Sequence, residues 1–181
     1  MVARQAEDRS ARRRRELRVL SAASDERSME CTIRPAREDD ADGISEVILR
    51  ALRETNARDY TDAIIERIAH SFGPDSVRQL IGTRTVFVAT IDSRVVGTAG
   101  LDGSVVRTVF VAPDIQACGI GKRLMAEVER IARERNIPAL TLSSSVTAET
   151  FYARLGFRTV RDSYHNDERT IVMERELDDA P

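Results

Sequence analysis

The chain has 181 residues, 41% of them hydrophobic, and a formal charge of −2 at pH 7, a balance that fits one globular domain with a single substantial core. No apolar run approaches the ~20 residues that cross a bilayer, so no membrane-spanning helix is expected. Cys31 and Cys118 are too few for a disulfide framework and lack metal-ligand spacing, which points to a reducing cytoplasm.

Residues 1–28 hold eight arginines against five acids, including the run Arg12 to Arg15, and have few residues able to build a core. Such a segment is expected to be a disordered arginine-rich extension. It leaves the remainder at −5, a sign that disfavours a nucleic-acid platform. The folded domain is expected over residues 29–177, with 178–181 as a tail.

Met29 to Arg34 reads as a first strand closed by Pro35. Asp39 and Asp40 are candidate N-caps for a helix with Ile44, Val47, Ile48, Ala51 and Leu52 on one face. A second helical pattern follows Thr61, with Ile64, Ile65, Ile68, Ala69 and Phe72; Gly73-Pro74 breaks it, and Val77, Leu80 and Ile81 suggest a short third piece. Val86 to Ile91 and Arg94 to Leu101 read as strands joined at Asp92-Ser93, and Asp102-Gly103 is a hairpin turn into the next strand. After a central helix ending near Asn136 come a strand through Leu140 and Leu142 and a short helix over Ala148 to Leu155. A closing hairpin of Phe157 to Tyr164 and Thr170 to Glu176 completes the pattern.

The most informative stretch runs from Val109 to Met125. Val105, Val106, Val109, Phe110 and Val111 form a strand, Pro113 ends it, and a helix opens near Gly119 with Ile120, Leu124, Val128 and Ile131 on one face. Between them, Gln116 to Gly121 holds two glycines and no side chain larger than Gln or Ile. Glycine lets backbone approach a ligand, and the helix start offers unpaired N–H groups and a positive dipole end, so a diphosphate is the expected guest. The only lysine of the chain, Lys122, lies in this loop. It is not a Walker loop, because Arg123 follows Gly121-Lys122, and it is not a dinucleotide fingerprint, because Leu124 stands at the third glycine.

The remaining pattern, Gln-x-x-Gly-x-Gly after Val-x-Pro, resembles the coenzyme A signature of the GNAT superfamily of acyl-CoA-dependent N-acetyltransferases. A later stretch, Ser145 to Phe157 with Phe151-Tyr152 and Leu155-Gly156-Phe157, is similar to the family's second motif. Together with the order of elements, the resemblance covers about Met29 to Glu176. It implies a mixed α/β fold: a mostly antiparallel, twisted sheet flanked by helices, with a splayed central strand pair. It implies acetyl-CoA as acyl donor, no metal, and transfer to a primary amine.

Carried over residue by residue, the resemblance has the backbones of Val109 and Val111 meet the pantetheine arm. Gln116, Cys118, Gly119, Ile120, Gly121 and Lys122 then surround the diphosphate, and Ser145 stands where the family often has an asparagine. Tyr152 takes the place of a general acid that protonates the departing thiolate; its other reading is a packed aromatic covering the cofactor. Cys118 reads as an incidental cysteine more readily than as a nucleophile. No carboxylate stands on the strand Val105 to Val111, which carries Arg107 instead, so the general base falls to water or to Glu54, Asp102, His70 or His165.

The acceptor is expected against Leu52 to Phe72 and the loop Asp162 to Arg169. Glu54, Asp59, Asp62 and Glu66 there would draw an amine, while Arg50, Arg53, Arg58 and Arg67 would suit an acid group on the same molecule. The expectation is therefore a small-molecule amine rather than a protein, in a chain that could form a homodimer. The competing reading is a non-catalytic acyl-CoA-binding module with a regulatory or interaction role.

Overall fold

A computed structural model of the chain describes residues 30–177; the expected extension 1–28, Met29 and the tail 178–181 lie outside the described residues. Seven strands form one sheet: β1 (Thr32–Pro35), β2 (Thr85–Ile91), β3 (Arg94–Asp102), β4 (Val105–Val111), β5 (Ala139–Ser145), β6 (Arg158–His165) and β7 (Glu168–Glu176). Their spatial order is β1-β2-β3-β4-β5-β7-β6, and every pairing is antiparallel except that of β4 with β5. Pro35 ends the edge strand β1 and so disturbs no central ladder.

The helices are α1 (Ala41–Arg50), α2 (Asp62–Ala69), α3 (Pro74–Thr83), α4 (Ile120–Glu134) and α5 (Glu149–Arg154). Side chains alternate across a strand, so each face of the sheet collects its own core. Val86 and Val88 of β2 pack with Ile44, Val47 and Ile48 of α1, and Phe87 and Ala89 pack with Leu124, Met125 and Val128 of α4. Both faces of the strands at the centre are thus covered, which is why β2 and β3 read as continuous apolar runs.

Three local expectations change. The third helical piece is a full ten-residue helix, α3, with Pro74 in its first turn. After α1 the chain widens into a π-helical turn over Ala51–Thr55, so Leu52 stays buried while the chain changes course. Asp40 does not cap α1 with its side chain. Its carboxylate instead accepts two hydrogen bonds from Arg34, at 2.7 and 2.9 Å, and one from the Arg37 N–H at 2.7 Å, tying β1 to the helix start.

Turn chemistry follows the sequence more closely. Asp92 and Ser93 both take positive φ, as a two-residue hairpin of the favoured twist demands. Asn136 closes α4 and Gly156 closes α5 in the left-handed region, at φ 56° and 90°.

Candidate active site

The site begins with an irregularity in β4. Thr98 faces Phe110 and Gly100 faces Arg107, so one residue of β3, Ala99, stands opposite two of β4, Thr108 and Val109. This is a β-bulge, and Thr108 sits in it at φ 48°, a conformation a β-branched residue rarely adopts. Gly100 makes room for it: a Cβ there would lie 3.2 Å from the Thr108 hydroxyl oxygen and 3.3 Å from the Arg107 carbonyl.

β4 and β5 meet at a single paired position, Val105 with Thr141, reinforced by the Thr141 N–H donating to the Ser104 carbonyl at 3.0 Å. Beyond it the two strands diverge. A cavity of about 810 Å³ fills the gap, lined on one side by Val106 to Val111 and on the other by Leu142, Ser143 and Ser145.

The loop after β4 forms one end of that cavity. Ala117 and Gly119 take positive φ, 66° and 78°, and Gly119 is the N-cap of α4, with no side chain to cap the first turn. The N–H groups at the start of this 15-residue helix therefore meet the cavity with the positive end of its dipole behind them. A Cβ on Gly119 would touch nothing within 4 Å; what requires glycine there is the backbone conformation. Arg50 and Arg94 hold Asp114 at 3.1 and 3.8 Å, which anchors the loop from below.

Tyr152 closes the opposite wall from α5. Its ring packs edge-on against Phe151, with centroids 5.0 Å apart, and against Phe157 at 5.9 Å, and the residue is 7% exposed. Burial alone pushes its phenol well above the usual tyrosine range, so the hydroxyl keeps its proton at neutral pH.

A strap then joins the segment before α2 to the ends of β5 and β7. The Tyr60 hydroxyl donates to the Arg169 carbonyl at 2.6 Å and accepts from the Val146 N–H at 3.0 Å. Thr147 donates to Asp59 at 2.7 Å beside it. Burial is the main reason the Tyr60 phenol is also pushed up.

Of the residues singled out in the sequence, Tyr152, Val109, Val111, Gln116, Gly119, Ile120, Gly121, Lys122 and Ser145 all line the one cavity. Cys118 does not; it is exposed on the outside of the loop. Gln116 is exposed and ties the loop to its neighbours, donating to the Thr55 hydroxyl at 3.0 Å and to the Val111 carbonyl at 3.3 Å. None of the four side chains named as a base lines the cavity: Glu54 pairs with Arg50, Asp102 pairs with Arg84, and His70 and His165 are exposed.

The acceptor-side charges also sort differently. Arg53 pairs with Glu66 at 2.9 Å, Arg50 is held by Glu54 and Asp114, Arg67 reaches Glu168 at 3.5 Å, and Arg58 lies exposed outside the cavity.

A family model described as the acetyltransferase (GNAT) domain matches residues 56–177. The chain belongs to the GNAT acetyltransferases. An uncharacterized acetyltransferase encoded in the arcA 3′ region of Streptococcus pyogenes is 30% identical over 92 residues, 47% of this chain and 62% of that relative. The matched stretch thus spans about three fifths of the relative's length.

Among solved structures, a GCN5-related N-acetyltransferase from Rhodopseudomonas palustris superposes with a TM-score of 0.77 at 22% identity, over 81% of this chain and 95% of the other. PaiA N-acetyltransferase from Thermoplasma acidophilum, determined in complex with coenzyme A, gives 0.71 at 20% identity, over 82% and 100%. At these identities the likeness is one of fold. The GNAT sheet, including its diverging β4 and β5, matches the architecture that the two motifs implied.

Several residues that line this GNAT site were not singled out as site residues in the sequence. Glu168 is the one carboxylate lining the cavity among the described residues, and Arg84, Arg107 and Tyr60 line it as well. Arg107 stands on the strand that carries Val109, and Tyr60 and Glu168 fall within the two segments expected to meet the acceptor, whereas Arg84 comes from the end of α3, where no local spacing marks it. The hydrophobic run around Thr108 likewise gives no hint of a bulge.

Proposed function

We propose that the protein transfers an acetyl group from acetyl-CoA to the primary amine of a small molecule, by direct attack of the amine on the thioester carbon. The observation that carries this is that one cavity joins three parts an acyl transfer needs. These are an open helix N-terminus for the diphosphate, a diverging strand edge for the pantetheine amides, and a buried phenol between them.

The neutral amine nitrogen forms a bond to the carbonyl carbon, the carbon–sulfur bond breaks, and the departing sulfur takes the Tyr152 proton. The ammonium proton left on nitrogen passes to solvent, and the tyrosinate regains one from solvent, so amide and free thiol are the products. Burial keeps the phenol protonated before the reaction, and its hydrogen bond to the sulfur supports charge that develops as the bond breaks.

Binding is tested first. Acetyl-CoA should raise the melting temperature, because a ligand that binds the native state alone stabilises it by mass action, and acyl-CoA carried through purification should be identifiable by mass spectrometry. No shift at millimolar acetyl-CoA would overturn the reading. Tight binding with no acetylation of any amine would point to the non-catalytic module instead.

A further inference from the structure

Resting on that reading, we infer that the acceptor is a zwitterionic small molecule that carries an amine, an acid group and an apolar body, as an amino acid does. The cavity is also lined by residues of α2, α3 and the turns beside them. Its walls there are Leu52, Ile68, Phe72 and Leu80. Phe72 meets Phe110 of β4 edge-on at 6.3 Å, which gives this lining a rigid apolar contact.

The cavity's charged lining holds both signs. Arg84 and Arg107 line it where α3 runs into β2 and β4 begins. Arg84 is fixed in place by Asp102 at 3.4 Å, while Arg107 makes no ion pair among the described residues. Glu168 lines the cavity from the first residue of β7, with β5 between β4 and β7 in the sheet. Its side chain is 19% exposed, and Arg67 engages one of its oxygens, Oε2.

Cations and a carboxylate in one cavity suit a molecule that carries both charges. A polyamine or a basic peptide would bring like charge against Arg84 and Arg107, and a sugar polycation would find an apolar wall where it needs acceptors. An aliphatic amine without an acid group would leave the Arg107 guanidinium without a carboxylate partner among the described residues. Guanidinium and carboxylate form paired, directional hydrogen bonds, which makes the acid group the main point of discrimination.

The test is an acetylation assay with acetyl-CoA on matched acceptors: leucine, methionine, phenylalanine and 5-aminopentanoate, the corresponding amines without the acid group, spermidine, an aminoglycoside and a lysine-rich peptide. Zwitterions should exceed their decarboxylated partners in kcat/KM by ~10–100-fold, the worth of one charge-assisted contact. Arg107→Ala, and separately Arg84→Gln, should shrink that ratio by at least ~10-fold, acting chiefly through KM for the zwitterion. Glu168→Gln should raise KM for every amine.

Preference for polycations, equal use of acid and decarboxylated partners, or an unchanged ratio in both arginine variants would each overturn the inference. No acetylation of any zwitterion, with acetyl-CoA still raising the melting temperature, would overturn the acceptor class and leave the cofactor reading standing. Loss of that thermal shift in wild type would remove the reading beneath it.

Discussion

The ring of Phe151 packs so closely on the backbone of Gly121 that a Cβ there would lie 3.1 Å from Cζ and 3.3 Å from Cε2. The loop that opens α4 and the helix that carries Tyr152 are therefore in direct contact across the gap between β4 and β5. Gly121 serves the aromatic wall as much as any phosphate. Gly121→Ala should push the Phe151 ring by a few tenths of an ångström and cost about 1 kcal/mol, at the low end for an overpacked site. Phe151→Leu in the same chain should relieve that cost, and additive losses in thermal or urea unfolding would show that the two do not couple.

Gly119 poses the opposite case. Space around it is open, and its φ of 78° is what a side chain resists. Gly119→Val should keep the fold while abolishing the thermal shift with acetyl-CoA, whereas Gly119→Asn, which tolerates the left-handed region, should keep part of it. Equal shifts in wild type and the valine variant would remove this loop from the diphosphate site.

Tyr152→Phe keeps the packed ring and removes the proton. The turnover number should fall by ~10²–10⁴-fold with little change in acetyl-CoA affinity. Burial raises the phenol pKa, so the alkaline side of the wild-type rate profile should show no loss of this proton up to pH ~10, the ordinary tyrosine value. Full turnover in the phenylalanine variant, with chemistry rate-limiting, would reduce Tyr152 to a wall.

Tyr60→Phe should leave the Val146 N–H and Arg169 carbonyl without their partner and cost about 1–3 kcal/mol. Its clearer signature is local. Amide exchange should quicken around Tyr60 and Val146 and stay unchanged in α4. Uniform protection in both would mean that the strap is held by its other contacts.

Asp40 gives a pH signature. Hydrogen bonding from Arg34, more than the Arg37 N–H, holds its carboxyl below the usual range against the opposing effect of burial. A carboxylate with a depressed folded pKa stabilises above its unfolded pKa of about 3.9, and that stability is lost as pH falls through the folded value. Asp40→Asn should thus cost about 1–3 kcal/mol in urea unfolding at pH 7, and the difference from wild type should narrow from pH ~4 downward. A gap that is constant with pH would mean that the aspartate charge contributes nothing there.

What the sequence determined by itself is local. Apolar spacing placed the helices and strands, Gly103 and Gly156 marked turns that take a left-handed backbone while Asp102 stays in β3, and two short motifs located the loop at Gly119 and the helix at Tyr152. Each of these signals is carried by residues a few positions apart, within reach of backbone sterics and helix or strand periodicity. The tertiary structure decided the rest. Thr108 takes a bulge conformation that its own side chain disfavours, held by the space Gly100 leaves on the neighbouring strand. Tyr60 finds its partner 109 residues away at Arg169, and Glu168 rather than any carboxylate near α1 or α2 reaches the cavity. Of the arginines over α1 and α2 that looked suited to an acid group, Arg50, Arg53 and Arg67 are paired with carboxylates, while Arg107 lines the cavity without an ion pair among the described residues and Arg84 lines it beside its partner Asp102. Which charge is neutralised and which faces a ligand depends on what the fold brings within a few ångströms, and that distance is not written in the order of residues.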